Sequence, residues 1–387
     1  MKKVSLFSAA TLAILLLGSC KKEEFTHTYY EPGDFALISN SLNLPAVPHD
    51  YSVKVPFHLG GANATLNKDM ATLGRVLFYD KKLSKDGTIS CASCHHQNLA
   101  FSDNVALSKG VFSRTTERNS QALGSVPSFQ SFYGTNTFTS NGFGAAFFWD
   151  NRVGTAADQS RSSMTNSREM DMTMHEIVEM VAAQDYYAPL FKQAFGSSDV
   201  SEQRVTSAIA EFVNSLGSMN SKFDQAITSQ NIFNLNTPFS QFTDQENLGK
   251  SIYNNSCAGC HSENFGAVPM SAASNGLDLN PTDFGVGGVT GLSQDRGTFK
   301  VPTLRNIALT GPYMHDGRFK TIEEVIEFYS TGIQPHANLH PMLRTISGEP
   351  KKFNFSTEQK QALVAFLKTL TDEQFIADVR FSDPFKQ

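Results

Sequence analysis

The sequence predicts an all-α protein of two units related by internal duplication, with long loops. Three observations carry that prediction. First, short strings recur in the two halves. Leu73-Gly74-Arg75 matches Leu248-Gly249-Lys250, Arg118-Asn119 matches Arg305-Asn306, and Trp149-Asp150-Asn151-Arg152 matches His315-Asp316-Gly317-Arg318. Ala208-Ile209-Ala210-Glu211-Phe212 likewise matches Ala362-Leu363-Val364-Ala365-Phe366. Second, apolar residues recur at helical spacing in several segments, while strand patterns are scarce. Third, Cys91-Ala92-Ser93-Cys94-His95 has an echo in Cys257-Ala258-Gly259-Cys260-His261.

From the start of the chain, Lys2 and Lys3 precede an apolar run from Leu6 to Leu17 and then Gly18-Ser19-Cys20, the pattern of a secretory signal over residues 1–19. Leu17-Gly18-Ser19-Cys20 resembles a bacterial lipobox, which makes Cys20 the lipidated residue; a plain signal peptide with a coincidental Cys is the alternative. The run is too short for a comfortable membrane span. The expectation is an exported protein on the periplasmic side, lipid-anchored to a bacterial membrane, the outer one by preference. Residues 20–60, with Pro32, Pro45, Pro48 and Pro56, read as a tether and N-terminal arm.

The first unit is expected over 61–232 and the second over 233–387, divided in a polar, Asn-rich stretch from Ser229 to Thr237. In the first, Asn67 to Tyr79 reads as a capped helix with Met70, Leu73, Val76 and Leu77 on one face. A loop follows from about Leu107 to Gly144, rich in Gly, Ser and Phe, and then helices at Met174–Ala183, Tyr187–Phe195 and Gln203–Leu216. In the second, helices are expected at Gln245–Tyr253, Ile322–Tyr329 and Thr357–Leu370, the last opened by Ser356. The 387 residues suit two domains. With 40% hydrophobic and 18% charged residues, a buried core is attainable. A net charge of −5 disfavours nucleic acid as a partner.

The two C-x-x-C-H strings carry the chemistry. Each is the attachment signature of a c-type haem: two thiols add to the vinyl groups of one porphyrin, and the following His reaches the iron. Together they use every cysteine except Cys20. A zinc site or a redox dithiol also uses C-x-x-C, but neither needs a His directly after both pairs. The units therefore read as cytochrome c-like domains holding two covalently bound haem c groups at Cys91, Cys94, His95 and Cys257, Cys260, His261. The 31 Phe residues suit apolar cofactor pockets as well as ordinary cores.

From about Leu73 to Leu370 the sequence resembles the bacterial dihaem cytochrome c peroxidase family, which includes MauG-type enzymes. The resemblance rests on the haem strings, on Phe148-Trp149-Asp150-Asn151-Arg152 and on the run from Leu304 to Arg318. It implies a peroxidatic N-terminal haem with His95 as proximal ligand, an electron-transfer C-terminal haem with His261 as ligand, and Trp149 as bridge between them. It makes Gln159 the distal-pocket glutamine, Glu169 the catalytic glutamate, and Asn119, Thr310 and Pro312 the holders of a calcium ion. Two departures stand out. No His occurs between His96 and His175, and Val111 falls near the place where the family's peroxidases often carry a blocking His, which implies a first haem open at rest. Tyr329 stands where the second haem's sixth ligand is often Met; MauG-type enzymes also carry Tyr there.

The resemblance implies reduction of hydrogen peroxide to water with electrons from a small donor protein, a monohaem cytochrome or cupredoxin. The alternatives are a MauG-like oxidase that modifies protein side chains and a non-catalytic dihaem electron carrier. A carboxylate can move a proton from the near to the far peroxide oxygen, acting as base and then as acid, which is the role implied for Glu169. A lone Glu is more often a solvated charge, a buried Trp or Tyr more often core, and Met314 and Met342 compete with Tyr329 for the second iron. Family members often form homodimers.

Overall fold

The computed structural model describes residues 29–61, 64–124, 147–228, 231, 234–266 and 269–386. The expected signal segment with Cys20, most of the loop ahead of Trp149 and part of the expected boundary lie outside those residues. The described chain is helical apart from one antiparallel pair of two-residue strands, β1 (Ala272–Ala273) and β2 (Phe299–Lys300). Its α-helices are α1 (Pro32–Ser41), α2 (Lys68–Tyr79), α3 (Ala156–Thr165), α4 (Met174–Ala182), α5 (Tyr187–Phe195), α6 (Glu202–Ser215), α7 (Lys222–Ala226), α8 (Asp244–Ser256), α9 (Ala258–His261), α10 (Val286–Thr290), α11 (Ile322–Glu327) and α12 (Thr357–Lys368).

The repeated strings are the two sides of one helix crossing, built twice. Asn67 starts α2 by accepting from the amides of Asp69 and Met70. The helix buries Leu73, Val76 and Leu77 against α6. At the contact the backbones nearly touch: a Cβ on Gly74 would stand 1.9 Å from the Ala208 carbonyl oxygen and 2.9 Å from Phe212 Cβ. In the second unit α8 crosses α12 in the same way. A Cβ on Gly249 would stand 1.9 Å from the Ala362 oxygen and 2.8 Å from Phe366 Cβ. Only glycine allows an approach this close.

A second duplicated device is a short hairpin. Phe147 N–H donates to Val153 O at 2.8 Å, and Tyr313 N–H donates to Phe319 O at 2.7 Å. Positive φ falls at matching positions, Phe148 and Asn151 in one hairpin, Met314 and Gly317 in the other. Trp149 and His315 occupy equivalent places in these two turns.

Three features depart from the sequence expectation. The arm is folded from residue 29 onward: α1 packs on α5, and Tyr30, Ile38, Leu42 and Tyr51 are buried in the first core. The chain beyond α12 returns to the first unit, where Phe375 and Phe381 join that same core. There Arg75 Nε donates to Ser382 O at 2.6 Å and Tyr79 OH to Phe381 O at 2.7 Å. Finally, α3 was not predicted. Its buried face is only Ala156, Ser160 and Met164, too weakly apolar to register as a helical stripe, and Thr155 caps it by accepting from Asp158 N–H.

The helix α7, ahead of the expected boundary at 232/233, packs in the second core through Phe223 and Ala226, and a buried ion pair ties it there. Arg305 donates to Asp224 at 2.7 and 2.9 Å and to Ser218 O at 3.1 Å, and His58 Nε2 lies 3.2 Å from the same carboxylate. Burial alone would raise the Asp224 pKa; Arg305, His58 and Ser221 outweigh it and hold the carboxyl well below its ordinary range.

Candidate functional site

Both attachment turns present their histidine in the same electronic state. His95 Nδ1–H donates to Phe101 O at 2.7 Å, and His261 Nδ1–H donates to Pro302 O at 2.9 Å. With Nδ1 so engaged, Nε2 of each ring is left with a lone pair for a metal. Burial lowers the pKa of both imidazoles, which favours the neutral form a ligand requires. None of Cys91, Cys94, Cys257 and Cys260 is in a disulfide. Burial pushes the Cys91 and Cys257 thiols up to about 12. These are neutral sulfurs in apolar surroundings.

Beside the second turn lies a cavity of about 280 Å³. Cys257, Cys260 and His261 border it, with Tyr329, Met314 and Asn275 also on its walls. Among the described residues around it there is no Asp or Glu. A mostly apolar hollow with two thiols and a correctly tautomerised imidazole fits a thioether-linked haem. Tyr329 sits in a π-helical turn, Phe328–Gly332, that extends α11; such turns recur at functional sites. Its hydroxyl accepts from Asn275 Nδ2 at 3.2 Å, and the same nitrogen lies 3.7 Å from Met314 Sδ. Burial, with the nearby thiols, pushes the Tyr329 phenol up to about 12, although the Asn275 bond opposes it.

Trp149 belongs to the first unit's hairpin yet borders the second unit's cavity. Its indole N–H donates to Asn119 O at 3.0 Å, and its carbonyl accepts from Lys300 N–H at 2.7 Å. The ring is therefore pinned between a loop of the first unit and β2 of the second. Asn119, Thr310 and Pro312 border the same cavity. The Asn119 amide donates to Val105 O at 3.1 Å and Ala106 O at 3.3 Å, and its backbone N–H donates to His315 O at 2.8 Å.

Glu169 stands at the first attachment turn. α3 ends in a tight turn where Glu169 N–H donates to Asn166 O at 3.0 Å. Asn166 Nδ2 donates to Glu169 Oε1 at 2.8 Å. Gln159 Nε2 donates to Ser163 Oγ at 3.0 Å, and the Ser163 hydroxyl bonds the Glu169 carboxylate. The two expected residues, ten apart in sequence, thus meet through one serine. Glu169 is close enough to Cys91 and Cys94 for its charge to act on both thiols. Burial raises the Glu169 pKa, only partly offset by Ser163, Arg152 and Asn166. The loop carrying Val111 is stitched behind this carboxylate: Val111 N–H donates to Glu169 O at 2.9 Å, and its side chain is buried.

Asn166, Ser163, Asn275, Gln121 and Lys300 had not been singled out. In sequence they are ordinary polar residues of loops and short helices, and no spacing marks them.

The sequence matches the family described as di-haem cytochrome c peroxidase over residues 68–231 and the cytochrome c family over residues 247–371. It is 33% identical over 318 residues to the methylamine utilization protein MauG of Methylorubrum extorquens, covering 80% of each chain. It is 34% identical over 315 residues to the cytochrome c551 peroxidase of Nitrosomonas europaea, covering 80% of this chain and 81% of that one. Among solved structures, a MauG-like protein associated with microbial copper homeostasis superposes with a TM-score of 0.68 at 30% identity, covering 88% of this chain and 98% of that one. With two cytochrome c-like units and two C-x-x-C-H turns that fit haem c, the chain belongs to the di-haem cytochrome c peroxidase and MauG family of oxidoreductases.

Proposed function

We propose that the protein is a peroxidase, reducing hydrogen peroxide to two waters with two protons and two electrons from a small donor protein such as a monohaem cytochrome or cupredoxin. The observation that carries the reading is Glu169: a buried carboxylate of raised pKa beside Cys91 and Cys94, oriented by Asn166 and Ser163. Bound at His95, a haem would supply the metal that takes peroxide and the redox chemistry. Glu169 would take a proton from the near oxygen and return it to the far one, so that water departs. Gln159 holds Ser163, and Ser163 holds Glu169, so the amide keeps the carboxylate's orientation fixed. Electrons would enter at the His261 haem and cross by way of Trp149, whose indole and carbonyl are fixed to both units.

The absence of a His between His96 and His175 supports a first haem open without prior reduction. The test is electron paramagnetic resonance of the resting diferric holoprotein, followed by mixing with peroxide. One high-spin and one low-spin signal and donor-dependent turnover are expected; two low-spin signals and no turnover would point instead to an electron carrier. Tyr329 in the second cavity favours a second reading, MauG-like oxidation of protein side chains. Replacing Tyr329 by Phe separates the two: peroxide turnover with a donor survives it, whereas the protein-oxidising reading requires its loss of activity. Calcium at Asn119, Thr310 and Pro312 is part of the proposal, supported by their shared wall and by the Val105 and Ala106 carbonyls gathered at Asn119. Chelation should then slow interhaem transfer, with recovery on adding calcium back. A lipid anchor at Cys20 completes the proposal. Among the described residues no helix is long and apolar enough to cross a membrane.

A further inference from the structure

The cavity of the second unit has one feature that attachment and ligation leave unused. Among the described residues that border it are Lys300 and Arg305, and none of those residues carries a carboxylate. Arg305 is committed to Asp224 through two hydrogen bonds. Lys300 is half-buried, and its Nζ lies 3.5 Å from Gln121 Oε1, a residue on the same cavity. Gln121 Nε2 is buried and has no partner. An ammonium and an orphaned amide N–H, side by side on the wall of a mostly apolar hollow, are a donor set that an anion would suit. Burial draws the Lys300 ammonium down to about 8, a penalty that a neighbouring carboxylate would reverse.

We propose that Lys300 and Gln121 together seat a carboxylate of the haem held by Cys257, Cys260 and His261, and thereby raise that haem's reduction potential. The haem's propionates are the carboxylates available to a porphyrin bound there. A positive charge beside the macrocycle favours the reduced iron. Lys300 is a positioning residue, and its place has a second effect: its backbone N–H is the one that binds the Trp149 carbonyl at 2.7 Å. The seat for the carboxylate and the tether of the bridging indole are thus one residue.

The inference rests on a haem in this cavity, not on which oxidation the protein performs. Haem content by pyridine haemochrome and midpoint potentials by spectroelectrochemistry are measured on the full holoprotein. Lys300→Met should keep two haems per chain and lower the potential of the second alone; Lys300→Arg should restore most of it. Gln121→Leu should lower the same potential by less. If both donors grip one carboxylate, the double variant's shift departs from the sum of the single shifts. An unchanged second potential in Lys300→Met with both haems bound overturns the proposal, as do strictly additive shifts. Should Lys300→Met fail to accumulate, Gln121→Leu decides alone: a lowered second potential supports the seat, an unchanged one removes it. Fewer than two haems in the wild type would overturn the haem assignment on which the inference stands.

Discussion

In the first unit, the chain between the hairpin and the packing helix builds α3 and the Asn166–Asp171 turn, which bring a buried carboxylate to the attachment cysteines. In the second, the stretch between hairpin and packing helix builds α11 and a π turn, which bring a phenol to a cavity without carboxylates. Around these insertions the frame is the same: a glycine-mediated crossing, a hairpin with two positive-φ positions, and a histidine whose Nδ1 is spent on a backbone carbonyl. The duplicated parts hold the group, and the parts that differ decide what can happen on it. A buried carboxylate stands beside His95, and none of the described residues around the His261 cavity is one, which suits one site for bond breaking and one for passing charge.

The comparison can be broken most sharply at Glu169. Glu169→Gln should lower peroxide turnover by roughly 10²–10⁴-fold while leaving both haems attached, measured by stopped-flow absorbance. A base must be ionised, and burial raises the pKa of this one. Wild-type kcat/KM should therefore rise with pH through a value above the ordinary glutamate range, and that rise should vanish in the variant. If Glu169→Gln is fully active, the two units do not differ in the way argued.

Next in size is the buried ion pair of the second unit. Asp224→Ala leaves Arg305 buried without its partner and should cost about 3–5 kcal/mol of stability by denaturant titration. The folded-state pKa of Asp224 is depressed. Its stabilising contribution is therefore complete above the unfolded carboxylate pKa near ~4, and is lost as pH falls below that toward the folded value.

The shared frame is sharpened by Gly74→Ala and Gly249→Ala. Each drives a Cβ into a carbonyl oxygen 1.9 Å away, so each should destabilise by about 3 kcal/mol, and by similar amounts if the crossings are equivalent. Thermal melts followed at the Soret band check this. The smallest effect is expected for Trp149→Phe, which loses the bond to Asn119 O, worth about 1 kcal/mol, and slows transfer between the haems.

Much of this was legible in the sequence. The repeats pointed to a duplication, and the structure shows why those strings recur: Gly74 against Ala208 and Gly249 against Ala362 let two helices touch in each unit. The helix at Tyr187–Phe195 was read at its observed bounds, since apolar periodicity and Gly196 in the left-handed region both mark it. Glu169 and Gln159 were reached through the resemblance rather than through pattern. α3 is polar, and the serine that links the two residues has no signature in a linear chain. Lys300 was missed for a related reason: whether a lysine faces water or a hollow depends on tertiary closure. The folded arm and the returning tail were missed because their apolar residues are spaced irregularly and find partners hundreds of positions away.

That returning tail has a consequence for how the molecule is made. Residues 375–386 complete the core that surrounds the earlier of the two attachment turns, so the leading unit stays open at its base while the trailing unit is still being synthesised. Trimming those residues would therefore injure the distant Cys91–His95 centre and spare the nearby one.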